Sequence, residues 1–230
     1  MVLEGLHPLK HALRFGASVT EVLTRDRSEL ERLCAQLAPD VGERMSDLAR
    51  EIDPAVFEQL APLPPATGVI ALAARPRVDP ALVLAERRPA PVVLLEDPRD
   101  LGNLGACVRV AAAADAAGVM STSSHDPWHP DAVRGAAGLQ FALPVARVQW
   151  PPTAGLAERP LLALDPDGEP LDPAALDPRS VLAFGTERHG LSRELAERAD
   201  ARVSIPMRAG VSSLNLATSV AAVLFAWRLA

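Results

Sequence analysis

Several residue types are scarce in this sequence, and each shortage excludes something. The 230 residues include two cysteines, Cys34 and Cys107, which form no Cys-x-x-Cys pair and are too few to staple a chain of this length. They read as reduced core thiols of a cytoplasmic protein. There is no tyrosine, and a single lysine, Lys10, stands among 23 lysines and arginines, a skew that reads as coding bias. Long hydrophobic runs are missing too. The most apolar stretch, Leu214 to Ala230, is interrupted by Asn215, Thr218, Ser219 and Arg228 and falls short of the roughly 20 residues that span a bilayer, so no membrane partner is expected. The opening MVLEGLHPLKHALRFG carries no apolar core of the kind that marks a secretory signal. Nor is there an excess of positive charge. The net charge of −6 excludes a uniformly basic nucleic-acid surface but leaves room for a local arginine-lined site.

What is present is ordinary for a folded protein, with 49% hydrophobic and 23% charged residues. The length admits one large domain, or a small one followed by a medium one, and the patterning favours the second. A short helix, Pro8 to Phe15, closed by Gly16, precedes a strand, Ala17 to Leu23. Ser28 and Glu31 form a capping box for a helix with Leu30, Leu33, Cys34 and Leu37 on one face. A second helical stretch, Ser46 to Leu60, runs into Pro62, Pro64 and Pro65 and then a strand, Gly68 to Ala73. Residues 1–75 therefore read as a small α/β module. Residues 76–90, rich in proline and arginine, read as a linker with a short helix at Pro80 to Arg87. In residues 91–230, short unalternating apolar runs recur at Val92 to Leu95, Ala117 to Met120, Leu161 to Leu164, Val181 to Phe184 and Arg202 to Ile205. Helical stretches such as Gly105 to Ala117 and Ser192 to Ala199 separate some of them. That alternation predicts an α/β fold with a parallel sheet covered on both faces.

Three segments follow strand-like runs: DPRDLGNLGACVR after Val92 to Leu95, FGTERHGLS after Val181 to Leu182, and SIPMRAGVSSLN after Arg202 to Val203. In an open α/β sheet ligands sit beyond the carboxyl ends of the strands, so these segments are the expected site. Singly they are weak. Gly102, Asn103 and Gly105 fit a turn and helix cap, and their spacing matches neither the GxGxxG dinucleotide fingerprint nor the phosphate loop with its lysine. Ile205, Met207 and Leu214 fit a plain core, and Ser212 or Ser213 a cap for the last helix.

Taken together they carry more. Asp97, Pro98, Asn103, Leu104, Gly105 and Arg109, then Asp126, Pro127, His129, Pro130, Ala132, Val133 and Arg134, then Gly185, Thr186, Glu187, Gly190, Leu191 and Ser192, then Ser204, Ile205, Pro206, Met207, Ser213, Leu214 and Asn215 follow one another in order. Over residues 91–229 this string closely resembles the SpoU, or TrmH-type, branch of the SPOUT RNA methyltransferases. Residues 1–75, opening EGLHPLKHAL and ending TGVIALA, resemble the small RNA-binding domain, similar to a ribosomal protein, that precedes the catalytic domain in many members.

The resemblance implies a 2′-O-ribose methyltransferase acting on RNA, ribosomal before transfer RNA, with S-adenosylmethionine as cofactor. It also implies a homodimer with the active site at its interface, and a deep trefoil knot wrapping the cofactor. Knots are nearly absent from folds, so composition and periodicity cannot show one. Arg109 matches the arginine proposed to activate the ribose 2′-hydroxyl. An arginine holds its proton to above about pH 12, so the part that suits it is electrostatic: holding the adjacent phosphate and stabilising developing alkoxide charge. On an isolated helix it would read as an ordinary surface arginine. Asn103, Glu187, Ser213 and Asn215 match the polar members of the catalytic set. Gly185, Ile205 and Leu214, with Met207 beside them, match the cofactor pocket, and Arg134 is a candidate RNA contact. The chain departs from the family at Arg188 and His189, which follow Glu187 where glycine is usual, and at Ala209, where glycine is frequent.

The alternative is a catalytically silent SPOUT-fold RNA-binding or assembly factor, and retention of Asn103, Arg109, Glu187, Ser213 and Asn215 together argues against it. A small-molecule enzyme with a dinucleotide cofactor would want GxGxxG with an acidic residue about 20 positions on, which is not present in that form. His125, His129, Asp126 and Asp131 can be drawn as a metal cluster, but the two prolines of DPWHPD argue against a helical i, i+4 pair, and no metal is expected. His7 and His11 read as a solvated helix face. Residues 1–75 hold 8 basic and 11 acidic side chains, and residues 76–230 hold 15 and 18. RNA binding is therefore expected to be local, through arginines such as Arg14, Arg109, Arg134 and Arg208, with single-stranded bases carrying much of the recognition.

Overall fold

A strand with no polar side chain must be covered on both faces. Val92–Leu95 and Val181–Phe184 are two such strands, every residue of each is buried, and they pair in parallel at the middle of a sheet. The computed structural model describes residues 1–151, 156, 158–186 and 189–230. In chain order its elements are β1 (Val2–Glu4), α1 (Leu6–Arg14), β2 (Val19–Thr24), α2 (Arg27–Leu37), α3 (Gly42–Leu48), β3 (Ala49–Glu51), α4 (Pro54–Phe57), β4 (Val69–Ala73), α5 (Pro80–Ala85), β5 (Val92–Leu95), α6 (Leu101–Ala113), β6 (Gly118–Ser121), α7 (Pro130–Gly135), β7 (Val145–Arg147), β8 (Leu161–Pro170), β9 (Val181–Phe184), α8 (Arg193–Arg198), β10 (Ala201–Ser204) and α9 (Leu216–Leu229).

Six strands run wholly in parallel in the order β10-β8-β9-β5-β6-β7, the α/β arrangement that the apolar runs predict. Successive side chains of a strand point to opposite faces. Val93 and Leu95 accordingly join a core with α6, α7 and α9, while Val92 and Leu94 join a second core with α5 and α8. Ahead of these lies a four-stranded sheet, β1-β4-β2-β3, in which only β2 and β3 are parallel. It covers a core of its own that includes Leu3, Leu6, Leu9, Val22, Leu30 and Met45.

The structure departs from the sequence reading where local hydrogen bonds decide. The cap of α2 is Asp26, whose carboxylate accepts from the Glu29 N–H, so the helix starts two residues before the Ser28–Glu31 box. The stretch Ser46 to Leu60 is not one helix. Its middle is drawn out as β3 beside β2, and Pro54 keeps Asp53 in an extended conformation before α4 begins. Helix α6 begins at Leu101, capped by Asp100, and ends at Ala113. Gly102, Asn103 and Gly105 are thus inside a helix, not in a turn. The hydroxyl of Ser192 caps α8, as the strand-helix boundary at that point suggests.

Gly105 has a packing reason to be glycine. A Cβ placed there would lie 2.2 Å from the Ala132 carbonyl oxygen of α7, and one on Gly135 would lie 2.8 Å from the Gly102 carbonyl oxygen. The two helices therefore touch backbone to backbone. Elsewhere a buried cation fastens the segment before the parallel sheet. Arg159 is 3% exposed and donates to the carbonyls of Leu84, Glu86, Ala90 and Arg179 at 2.6–3.0 Å. Burial is the main cause of the lowering of its pKa from the usual arginine value. Val83 and Leu84 of α5 are buried under the sheet, so the second half of the segment, residues 83–90, is pinned.

Replacing Gly105 by alanine forces α6 and α7 apart, and overpacking of this kind costs about 1–3 kcal/mol. The expected result is a lower urea midpoint at unchanged slope. An unshifted midpoint would show that the helices separate freely.

Candidate functional site

The carboxyl ends of β8, β9 and β10 surround a cavity of about 360 Å³, in the place where open α/β sheets bind ligands. After β9 the chain folds back at once, because the backbones of Thr186 and Gly190 bond to each other in both directions at 3.0 Å. The fold-back leaves no space at Gly185, where a Cβ would lie 2.0 Å from the Gly190 carbonyl carbon. Gly190 supplies the left-handed backbone that closes the turn, with φ +65°. From the far side, the segment between β10 and α9 brings in Ile205, Met207, Ser213 and Leu214. All four cofactor candidates, Gly185, Ile205, Met207 and Leu214, therefore line one cavity together with Ser213. Glu187 and its neighbour Arg188 lie outside the described residues.

Sequence reasoning missed one wall. Along β8 the pairing with β10 slips, from Arg202 opposite Ala163 to Val203 opposite Glu169. The intervening residues bulge to the rim, where Leu164, Asp165 and Pro166 line the cavity. An Asx turn, with the Asp165 carboxylate accepting from the Asp167 N–H at 2.9 Å, shapes the bulge. The turn-forming string Asp165-Pro166-Asp167-Gly168 was the signal available for it.

Asn103 and Asn215, from segments far apart in the chain, meet beside the cavity: neither lines it, but Asn215 stands between the lining residues Leu214 and Leu216. The Asn215 carboxamide oxygen accepts from the Ala217 and Thr218 N–H groups and caps α9. Its amide nitrogen is thereby turned outward and donates to the Asn103 Oδ1 at 3.1 Å. Asn215 is the cap expected of Ser212 or Ser213, and Asp100 the cap expected of Asn103.

Arg109 is not in this cavity. It lies six residues beyond Asn103 on α6, about 9 Å farther along the axis and about a third of a turn round from it. It is exposed and lines a second hollow of about 720 Å³ between β1–α1 and α6–α7. Among the described residues no ion pair or hydrogen bond engages its guanidinium. Arg134 borders the same cleft, but it pairs with Glu4 and, at 3.0 Å, with Asp131. His7, Lys10 and His11 of α1 face the cleft from the other side. His11 is not merely solvated, since its Nδ1–H donates to the Ala137 carbonyl at 2.6 Å and ties α1 to the end of α7. Burial first, then neighbouring cations, lowers the pKa of both histidines. The cations acting on His7 are Lys10 and Arg109.

The histidine and aspartate string DPWHPD has structural uses. Asp126 receives a two-pronged contact from Arg75 at 2.6 and 3.0 Å, and His129 caps α7 through its Nδ1. No group of three or more metal-ligating side chains occurs among the described residues, and no helix among them is long and apolar enough to cross a membrane.

Comparison with known proteins bears on the same residues. The family model described as SpoU rRNA Methylase family matches residues 90–225. A 23S rRNA (adenosine(1067)-2'-O)-methyltransferase of Streptomyces laurentii is 30% identical over 235 residues, which span 95% of this chain and 82% of the relative. A 23S rRNA (uridine(2479)-2'-O)-methyltransferase of Streptomyces viridochromogenes is 28% identical over 233 residues, covering 96% and 79%. The crystal structure of the SpoU methyltransferase AviRb from Streptomyces viridochromogenes, in complex with the cofactor AdoMet, superimposes with a TM-score of 0.77 at 26% identity, covering 100% of this chain and 89% of that one.

The two functions of Asn215 can be separated. Asn215→Asp keeps the oxygen that caps α9 but removes the donor to Asn103, whereas Asn215→Ala removes both. Loss of a cap costs about 1 kcal/mol, so thermal unfolding should fall for the alanine variant and stay near wild type for the aspartate. Equal losses would show that the bond to Asn103, and not the cap, holds α9.

Proposed function

This chain belongs to the SpoU rRNA methylase family, and on that footing we propose that its two hollows divide one reaction: the strand-end cavity holds S-adenosylmethionine, and the cleft side of α6 presents Arg109 to the RNA. The protein is an S-adenosylmethionine-dependent 2′-O-ribose methyltransferase of ribosomal RNA and not a silent RNA binder. The observation that carries the cofactor assignment is the convergence of Gly185, Ile205, Met207, Ser213 and Leu214, from segments on either side of α8 and β10, on a single cavity.

The cavity suits the cofactor. Ile205, Leu214 and Phe184 offer an apolar wall for an adenine ring, and Gly185 lets the chain fold back tightly on Gly190 at the cavity wall. Ser213 and Asp165 add polar groups at the rim. When bound, S-adenosylmethionine supplies a methyl group on a positively charged sulfur. The task of this chain is then to hold the ribose oxygen in line at about 3–3.5 Å and to stabilise the charge it gains as the hydroxyl proton passes to water. Asn103, held by Asn215, and Ser213 orient the hydroxyl, with Glu187 completing the polar set. Arg109 stays protonated, so it acts by its charge and its fork, gripping the neighbouring phosphate and countering alkoxide character on the 2′-oxygen.

Within one chain, Arg109 faces the cleft and not its own cavity. A homodimer removes the difficulty by letting Arg109 of one copy complete the cavity of the other. The face for it is on α9. Val220 and Leu224 are spent inside the molecule. Thr218, Ala222, Phe225 and Leu229 form the outward stripe instead, with Phe225 39% and Leu229 85% exposed. In this reading residues 1–75 are the RNA-binding domain and residues 91–230 the methyltransferase domain with its knot. Residues 76–90 connect them, Arg134 braces the RNA-facing cleft, and the buried cysteines Cys34 and Cys107 suit the cytoplasm.

Two measurements test this. In transfer of labelled methyl groups to unmodified ribosomal RNA, Arg109→Ala should lose about 10²-fold or more in turnover with S-adenosylmethionine affinity unchanged. Arg109→Lys, which keeps the charge but not the fork, should stay badly impaired. Wild-type rates from the alanine variant would defeat the assignment. For the dimer, light scattering should give twice the chain mass for wild type and the monomer mass for Phe225→Glu/Leu229→Glu. A monomer that still methylates would rule out the shared site.

A further inference from the structure

The cleft between α1 and α6–α7 is the larger of the two hollows, at about 720 Å³, within the roughly 300–1,000 Å³ typical of sites that enclose a small molecule. Its charge is one-sided. Glu4 is the acidic residue on its lining, and Arg134 neutralises it. Lys10, the only lysine in the chain, and Arg109 remain, with His7 exposed between them. The Lys10 ammonium has only a long contact, 3.4 Å, to the Leu37 carbonyl. His7 is near enough to both cations for each to disfavour its protonation, so it presents a mostly neutral ring beside two positive charges. The opposite wall is Pro64 and Pro65, flat, apolar and without N–H groups.

We propose that this cleft receives one unstacked nucleotide of the RNA strand, its phosphate held between Lys10 and Arg109 and its base lying against the His7 imidazole and the Pro64–Pro65 wall. An RNA duplex cannot enter a hollow of this size, whereas single-stranded RNA is bound by splaying bases onto flat side chains, histidine among them, over a cationic track. No tyrosine exists in this chain and no phenylalanine or tryptophan lines the cleft, so the imidazole is the ring available for stacking. His11, committed to the Ala137 carbonyl, holds the floor in place. The inference rests on the methyltransferase reading for the identity of the strand, and it adds the residues that grip it, at a distance from the cofactor cavity.

The test uses the full chain and a fluorescein-labelled, mixed-sequence 12-nucleotide single-stranded RNA, with binding followed by anisotropy across a potassium chloride series. His7→Ala should weaken binding about fivefold or more, the smaller end of the range for a lost stacking platform, with the salt slope unchanged. His7→Phe should restore it. Lys10→Gln should reduce the salt slope by about 0.7, as loss of one phosphate contact does on a single strand. S-adenosylmethionine binding by calorimetry should be the same in all three, which also verifies their folding. Arg32→Gln, on the distant helix α2, should leave RNA affinity near wild type. Full affinity in both His7→Ala and Lys10→Gln, an equal loss in Arg32→Gln, or duplex binding as tight as single-strand binding would each overturn the proposal. Methyl transfer to ribosomal RNA by the same proteins separates the two claims. A wild type that transfers methyl groups while the His7 and Lys10 variants bind RNA normally sinks the cleft alone. A wild type that grips the strand through His7 and Lys10 yet transfers nothing upholds the cleft and sinks the methyltransferase reading.

Discussion

At Gly105 the backbone of α6 approaches the Ala132 carbonyl of α7 so closely that a methyl group would overlap it, and much of the geometry follows from that contact. Helix α6 carries Asn103, bonded to Asn215 at the start of α9, and Arg109 at the cleft, so its position fixes the separation of the two. Helix α7, drawn in against it, ends in the turn Ala137–Gly138. There a Cβ on Gly138 would sit 2.6 Å from the Pro8 Cα of α1, and the Ala137 carbonyl takes the His11 hydrogen bond. A single close helix pair thus sets both the interior of the parallel-sheet part and the seam with the four-stranded part. Larger residues at these glycines would displace backbone, which interiors packed to crystal-like density absorb poorly.

Polar side chains near the cavity mostly serve two masters. Asn215 caps α9 with its oxygen and holds Asn103 with its nitrogen; the backbone donors of Ala217 and Thr218 decide which atom faces which way. Asp165 shapes the β8 bulge while facing the cavity. A site built this way needs few residues beyond those that fold it, because each orienting bond is already part of a cap or a turn. The cleft is different. There neither Arg109 nor Lys10 is in an ion pair among the described residues, and Asp40, whose charge reaches Lys10, is itself bound to Arg14, the arrangement of a surface open to an anion.

The parts legible in the sequence were those set by burial alone. β5 and β9 lie where the apolar runs end, since a four-residue strand buried on both faces has no other register. Gly185, Ile205, Met207 and Leu214 converge as their motifs imply. What failed was decided by competition between nearby polar groups: Asp26 over Ser28, Asp100 over Asn103 and Asn215 over Ser213 as caps. In each, two or three residues within one turn could accept the same backbone N–H, and tertiary contacts chose. The β8 bulge and the broken stretch from Ser46 to Leu60 depended on strand partners remote in sequence, β10 and β2. The cleft escaped notice because its two walls are about a hundred residues apart and only the fold brings them together.

Arg159 has an effect beyond its own neighbourhood. Its guanidinium is buried among four carbonyl oxygens, and three of them belong to the segment joining the two sheets. Pulling the segment away would strip hydrogen-bond acceptors from a buried cation, which is costly, so it is not a tether on which one part can swing against the other. The His11–Ala137 and Arg134–Glu4 contacts close the same gap from the opposite side. The molecule is therefore a caliper with its jaws locked: where the cleft of a chain stands relative to its own strand-end cavity is settled when the chain folds, so in a dimer only the seating of one copy on the other sets the span that an RNA must match.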